Sequence, residues 1–337
     1  MTVVEDDFAA GLSALVQRTV PGAVGMAGLK RLTAGATLQT WSFDAVDAAG
    51  KTVMPLILRR SPGGLRAGET LSLTNEAALV RRVGQLGVPV AQVVHTLVDA
   101  DGLGDGFVMR RLEGETIPRK LLRDAEFANA RPRLVAQMGA ALGAIHRVPT
   151  AGLPTMPVRS TAAMLQGMRA RLDALPRASA VFEFAMRWLQ SHLPADPPTL
   201  RLVHGDFRIG NLMLNADGLH AVLDWEIAHL GDPAEDLAWI CLPPWRFGHI
   251  IQPVAGLGPR EALYSAWQAV TGEAVDPQRV RWWQVMGSLR WGVGCAGMQD
   301  WFASGRDPTV ERAMIARRVS ENEIDLLRLL ASEDAHA

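Results

Sequence analysis

The chain has 337 residues, 48% apolar and 20% charged, with 32 glycines and 20 prolines, a balance that belongs to a folded globular protein and excludes collagen-like repeats, a coiled coil or disorder. Its 34 basic and 35 acidic residues nearly cancel, so no overall field draws it to nucleic acid or to an anionic membrane. The two cysteines, Cys241 and Cys295, are too few and too far apart for a disulfide framework or a CxxC site, which predicts a reducing, cytoplasmic setting.

Met1 to Asp7 lacks the basic-then-apolar pattern of a secretion signal, and no 18-residue uncharged apolar run follows anywhere, so neither export nor membrane insertion is expected. Helical spacing covers Asp7 to Val20. Trp41, Phe43 and Ala45 alternate with polar neighbours as in a strand, Ala48 to Lys51 reads as a turn, and Thr52 to Arg59 as the returning strand. Pro62, Gly63 and Gly64 break this hairpin, and Leu71 to Leu86 then has its apolar residues at helical intervals. Val93 to Val98 and Phe107 to Leu112 form a second hairpin around a turn rich in Asp and Gly. Beyond Leu112 helices dominate: Leu134 to Ile145, Thr161 to Leu175, Ala178 to His192, Asp236 to Leu242, Arg260 to Ala269, Gln278 to Gln299 and Val310 to Leu330. One β-like island, Leu200 to Leu223, interrupts them. This shift predicts two lobes, 1–112 and 113–337.

Two motifs mislead. Ala45 to Thr52 fits a loose Walker A pattern, but a strand follows it where a phosphate loop leads into a helix N-terminus. Gly292 to Gly297 matches GxGxxG, yet it continues a helical stretch and lacks a βαβ unit, so small residues for close helix packing explain it. The histidines form neither an HExxH pair nor a Cys/His cluster that would indicate zinc. Trp282, Trp283, Trp291 and Trp301, with Arg281 and Arg290, read mainly as packing between helices.

The informative stretch is Leu202 to Glu226, LVHGDFRIGNLMLNADGLHAVLDWE. Leu202-Val203 leads out of the core, His204-Gly205-Asp206 opens a loop, and Asn211 follows Asp206 by five positions. Leu212 to Leu214 and Leu219 to Leu223 flank the turn Asn215-Ala216-Asp217-Gly218, and this hairpin returns Asp224 beside Asn211. Asp206, Asn211 and Asp224 thus converge in one cleft. The set suits magnesium, a hard cation that takes one or two protein oxygens and the rest from phosphates and water. Phosphoryl transfer asks little more of a protein than positioning, charge neutralisation and one carboxylate to orient the attacking hydroxyl.

HGDxxxxN followed by an Asp at the end of an apolar strand is similar to the catalytic-loop and metal-binding pair of protein kinases. The HGD form with Asp224-Trp225 resembles the aminoglycoside phosphotransferase and choline kinase group of small-molecule kinases. The fuller wording, Leu58 to Arg60, Val108 to Gly114, His204 to Met213 and Leu223 to Trp239, most resembles the branch also found fused to acyl-CoA dehydrogenases.

The resemblance implies a protein-kinase-like α+β fold, with an antiparallel N-terminal sheet lobe for nucleotide and a larger helical lobe for catalysis and acceptor. It implies that Asp206 orients or deprotonates the acceptor hydroxyl, Arg208 stabilises the transferred phosphate, and Asn211 and Asp224 hold Mg2+ on ATP. His204 and Asp236 would brace the loop. The family's strand lysine has no counterpart, because Lys30, Lys51 and Lys120 are the only lysines and none lies on Thr52 to Arg59. Arg59 is the named replacement, with Arg60 the alternative because the strand register is open, and Glu76 is its ion-pair partner. Thr33 to Thr37 would be the nucleotide loop with a single glycine, and backbone groups from Met109 to Arg111 would meet adenine. The expected reaction is transfer of the ATP γ-phosphate to a small-molecule hydroxyl, a hydroxyacyl compound being suggested by the resemblance. The alternatives are an aminoglycoside or other antibiotic phosphotransferase, and a non-catalytic nucleotide-binding module of pseudokinase type.

Overall fold

The computed structural model describes residues 3–32, 38–61, 70–177 and 179–331. The region 33–37 expected to cover nucleotide, and the Pro62 to Gly64 break, lie outside these residues.

The N-terminal lobe opens with helix α1 (Val3–Thr19). A five-stranded antiparallel sheet follows, of order β1-β2-β3-β5-β4, formed by β1 (Gly25–Leu32), β2 (Gln39–Val46), β3 (Thr52–Ser61), β4 (Val93–Thr96) and β5 (Asp105–Arg110). α1 buries Leu12, Leu15 and Val16 against Phe43, Leu56 and Leu58 on one face of that sheet. Helix α2 (Leu73–Gln85), capped by Ser72, packs Leu79, Val80 and Val83 into the main core together with Phe107. The Walker-like stretch is the β2–β3 turn: the Asp47 carboxylate accepts from the Ala49 and Lys51 N–H groups, and Gly50 has φ 76°.

The second lobe holds α3 (Pro118–Arg123), α4 (Arg131–His146), α5 (Thr161–Asp173), α6 (Ala180–Ser191), α7 (Ala234–Trp239), α8 (Arg260–Thr271), α9 (Pro277–Ala303), α10 (Val310–Ala316) and α11 (Val319–Ala331). Among them run β6 (Arg201–Val203), the hairpin β7 (Leu212–Asn215) and β8 (Gly218–Val222), and β9 (His229–Gly231). Kinase-like two-lobe architecture is therefore what the sequence adopts. No helix among the described residues is long and apolar enough to cross a membrane.

Three local expectations change. β1 is an unexpected edge strand, its pattern hidden by Gly28, which has φ 66° where the register shifts between Ala27 and Lys30. β6 pairs with β9, so the β-like island extends past the hairpin to residue 231. The helix expected over 310–330 is two helices, and neither proline nor glycine marks the break. The GxGxxG run lies inside α9; Gly292 packs against the Phe182 ring, where a Cβ would come within 2.7 Å, whereas Gly294 and Gly297 face open space. Close packing thus accounts for the first glycine only.

α4 and α8 approach each other closely, and this matters for the site. A Cβ on Gly139 would lie 2.3 Å from the Leu263 carbonyl oxygen, and one on Gly143 would lie 2.7 Å from Val270. These glycines let the helices approach until His146 of α4 and Trp267 of α8 are joined by a 2.9 Å hydrogen bond, indole N–H to His146 Nδ1. Gly139→Ala is expected to destabilise the protein by about 1–3 kcal/mol, overpacking exceeding alanine's helix-propensity advantage of about 1 kcal/mol; urea unfolding checks this, and an unchanged or raised midpoint would refute the close approach.

Candidate active site

The site begins with a backbone requirement. Between β6 and the 3₁₀ turn at Ile209–Asn211, the loop must reverse, and Gly205 does so with φ 81°. A Cβ there would be strained and would sit 3.0 Å from the Ile227 carbonyl oxygen. The buried N–H groups of His204 and Gly205 are taken by one carboxylate: Asp236 Oδ2 accepts from the first at 2.8 Å and Oδ1 from the second at 2.9 Å. His146 Nε2 lies 3.1 Å from Asp236 Oδ2, and because Nδ1 accepts from Trp267, Nε2 carries the proton and donates. Burial alone would push the Asp236 carboxyl up, but His146 and the charge-stabilising bonds outweigh it and hold it below the usual carboxylate range.

Gly205 is held from the other side as well. Arg290 donates to the Gly205 carbonyl at 3.0 Å and to Glu235 Oε1 at 2.7 Å, while His229 Nε2 faces Glu235 Oε2 at 3.1 Å. Glu235 is buried, yet His229 and Arg290 together more than offset its desolvation and keep its carboxyl low.

On this frame the structure brings Asp206, Asn211 and Asp224 together. Asn211 Nδ2 donates to Asp206 Oδ2 at 2.7 Å and to the Asp206 carbonyl at 3.0 Å. With the amide nitrogen so engaged, its oxygen is the atom left for a cation. The Leu223 N–H donates to the Asn211 carbonyl at 2.8 Å, which fixes Asp224 next to Asn211. Asp224 takes a left-handed φ of 65°, tolerated by aspartate, and leaves 35% of its side chain exposed. The hairpin itself is docked by Gln137 of α4, whose Oε1 accepts from the Leu219 N–H at 2.9 Å. His204 braces the loop internally, Nδ1 accepting from the Asp206 N–H and Nε2 donating to the Leu223 carbonyl at 3.0 Å. Arg208 Nε stands 3.2 Å from both Asp206 oxygens.

From the sheet lobe, Arg59 enters the same cleft. Its guanidinium donates to Glu76 Oε1 and to Asp224 Oδ1, both at 2.9 Å. Desolvation would lower its proton affinity, but Glu76 and Asp224 together raise it above the ordinary arginine value. Arg60 points to the other face, donating to Gln39 at 2.9 Å and stacking 3.8 Å over the Phe8 ring. Strand alternation therefore separates the two arginines, and the three lysines are all exposed elsewhere.

At the expected adenine edge, from Met109 to Arg111, two backbone donors are engaged within the protein. The Arg110 N–H donates to the Gln92 carbonyl and the Arg111 N–H to the Pro55 carbonyl at 2.9 Å, so neither can meet a base without giving up that bond. The Arg111 side chain turns to Ser42 and Asp44 on β2. Met109 sits within β5, opposite Ile57 and Val93.

Sequence reasoning missed Trp239. Its indole N–H donates to Asp206 Oδ1 at 2.8 Å, and its ring touches Trp245 at 5.4 Å between centroids. Trp291 continues the stack 4.9 Å from Trp245, and Arg208 lies 5.2 Å over the Trp245 ring. The available signal was spacing: Trp239 is three residues after Asp236 on α7, hence on the same helix face. Trp282 and Trp283 are core residues, hydrogen-bonded to the Leu189 carbonyl and to Asp232.

Asp224 and the Asn211 amide oxygen fit a hard divalent cation, two oxygen donors that phosphates and water would complete. No group of three or more His, Cys, Asp or Glu among the described residues forms an all-protein cage.

A model of a phosphotransferase enzyme family matches residues 28–283. Mouse acyl-CoA dehydrogenase family member 10 is 28% identical over 202 residues, 56% of this chain but only 18% of that relative. Among solved structures, a candidate aminoglycoside phosphotransferase from Ralstonia eutropha superposes with a TM-score of 0.77 at 18% identity, covering 96% of this chain and 98% of its own. A thermostable mutant of aminoglycoside phosphotransferase APH(4)-Ia, solved with AMP-PNP and hygromycin B, gives a TM-score of 0.63 at 16% identity over 96% of this chain and 99% of its own.

Removing the Asp236 carboxylate strips two loop N–H groups of their acceptor, and Asp236→Ala is expected to cost about 3 kcal/mol. Because the folded-state proton affinity is depressed, this stabilisation is complete above about pH 4 and fades as pH falls through the lower folded value. Denaturation of the protein and of Asp236→Asn should show a gap that is constant between about pH 5 and 7 and narrows below about pH 4; a gap that widens on acidification would contradict the assignment.

Proposed function

Because the chain belongs to the phosphotransferase enzyme family of small-molecule kinases, we propose that it transfers the γ-phosphate of ATP to a hydroxyl of a small molecule. The observation that carries this reading is that Asp206 and Asn211, hydrogen-bonded at 2.7 Å, are tied through the Asn211 carbonyl and the Leu223 N–H to the end of the hairpin, where Asp224 meets Arg59 of the sheet lobe at 2.9 Å. In this reading residues 1–112 bind nucleotide and 113–337 supply catalysis and the acceptor pocket.

Asn211 Oδ1 and Asp224 are the donors that would hold magnesium on the phosphates, whose charge the ion neutralises. Arg59 offers a permanently charged fork to the α and β phosphates, in place of a lysine's point charge, and Glu76 keeps it extended. The base would lie at the exit of β5, near Met109 and Arg111, using carbonyl oxygens since the two N–H groups there are engaged. Asp206 accepts the proton of the acceptor hydroxyl as its oxygen bonds to the γ-phosphorus and the bond from that phosphorus to the bridging oxygen breaks, releasing ADP. Arg208, beside Asp206 and backed by Trp245, supplies positive charge to the transferred group.

The wall next to Asp206 consists of Trp239, Trp245 and Trp291 with Arg208 and Arg290. Apart from Asp206 itself, the acid that touches this wall is Glu235, already paired with Arg290. A polycation such as an aminoglycoside needs acids of its own, so this lining supports a neutral or anionic hydroxy compound. The relatives named for acyl-CoA dehydrogenase support a hydroxyacyl compound as that acceptor.

ATP consumption and phosphorylated product should be measured across hydroxyacyl thioesters, hydroxy acids and aminoglycosides. Turnover is expected with a member of the first two groups, falling at least about a hundredfold in Asp206→Ala. Preferential phosphorylation of aminoglycosides would support the antibiotic alternative, and Mg-independent nucleotide binding without turnover would support the non-catalytic module. Asp224→Ala should abolish magnesium-dependent ATP binding, read by calorimetry, while circular dichroism shows the fold retained at a somewhat lower melting temperature, since alanine strains the left-handed backbone and Arg59 loses one partner; retained magnesium dependence would refute its role as ligand.

A further inference from the structure

We propose that Trp239 is a positioning residue for phosphoryl transfer: its indole N–H fixes Oδ1 of Asp206 so that the carboxylate meets the acceptor hydroxyl in one orientation. This inference rests on the phosphotransfer reading above.

A carboxylate on a loop turns freely about its last bond unless donors hold both oxygens. Here Oδ2 accepts from Asn211 at 2.7 Å, Oδ1 from Trp239 at 2.8 Å, and Arg208 Nε straddles the pair at 3.2 Å. With about four lone-pair positions on a carboxylate, three donors leave a narrow approach for a further hydroxyl. An indole suits this task, since it donates only and can never take the proton that Asp206 is meant to receive.

Trp239 is itself immobilised. It is 6% exposed. The Arg290 guanidinium lies 4.0 Å over its ring, tied down by Glu235 at 2.7 Å and by the Gly205 carbonyl at 3.0 Å. A Cβ on Gly287 of α9 would stand 3.3 Å from the indole, so that helix closes its other side. Asp236 and Trp239, one helical turn apart, thereby give α7 two separate jobs: the first residue holds the loop backbone and the second holds the side chain that the loop presents. The ring also continues into Trp245 and Trp291, which places the support of Asp206 in the wall proposed to receive the acceptor.

Trp239→Phe removes the N–H and keeps an aromatic ring. With MgATP, and with water or any hydroxyl compound from the panel as acceptor, kcat should fall about ten- to a hundredfold, the loss of one hydrogen bond to a charged group. The KM for MgATP should stay unchanged, whereas general loosening of the lobe would raise it. In a protein labelled with 15N on tryptophan, the Trp239 indole resonance, identified by its loss in Trp239→Phe, should move in Asp206→Ala and stay in place in Asp224→Ala. An indole resonance indifferent to Asp206, or turnover unaffected by Trp239→Phe, overturns the role of Trp239 alone. Absence of turnover in the unmodified protein overturns the phosphotransfer reading, and the role of Trp239 with it.

Discussion

The Asp236 carboxylate, buried beneath the loop it holds, is the interaction on which the rest of the site depends. It accepts from two consecutive backbone N–H groups, at His204 and Gly205, and these are donors that no strand or helix satisfies. A buried charge is tolerated only when hydrogen bonds replace its hydration, and here His146 supplies the third of them. His146 is in turn held by Trp267, and the two meet because Gly139 and Gly143 let α4 and α8 come close. The loop that carries Asp206 is thus suspended from a closely packed helix pair of the second lobe. Its accuracy comes from the core and needs no rigidity of its own.

A second constraint joins the lobes. Arg59 leaves β3 and reaches both Glu76 on α2 and Asp224 at the end of the hairpin. Backbone adds to the connection, since the Leu71 N–H before α2 donates to the Glu226 carbonyl at 2.7 Å. An arginine can bridge two carboxylates because its planar fork has donors on separate edges, whereas a lysine offers one compact charge. Arginine at this position therefore changes the way the lobes are tied. Arg59 also donates to an oxygen of Asp224, the carboxylate proposed to hold metal, so that position already carries positive charge.

Much of this was readable from residues alone. The hairpin between Leu212 and Leu223 follows from a tight Asn-Asp-Gly turn between apolar runs, and its length returns Asp224 to Asn211. β2 and β3 follow from alternation around Asp47 to Gly50, and most helices from their periodicity. β1 escaped because an edge strand with a bulge at Gly28 needs no alternating apolar pattern. β9 escaped because three residues carry no periodicity, and its partner β6 lies 26 or more positions earlier. The choice between Arg59 and Arg60 stayed open because a one-residue shift in register exchanges their faces.

The sequence by itself determined the kinase-like class, the loop and hairpin that carry Asp206, Asn211 and Asp224, and the want of a lysine on β3, since each depends on neighbours within a couple of dozen residues. Tertiary structure alone decided that Arg59 and not Arg60 faces the cleft, that the Arg110 and Arg111 N–H groups are engaged, and that Trp239 steadies Asp206. These depend on strand register and on contacts between residues up to 165 positions apart, and no local pattern encodes a pairing whose partners are brought together only by the packing of the whole chain.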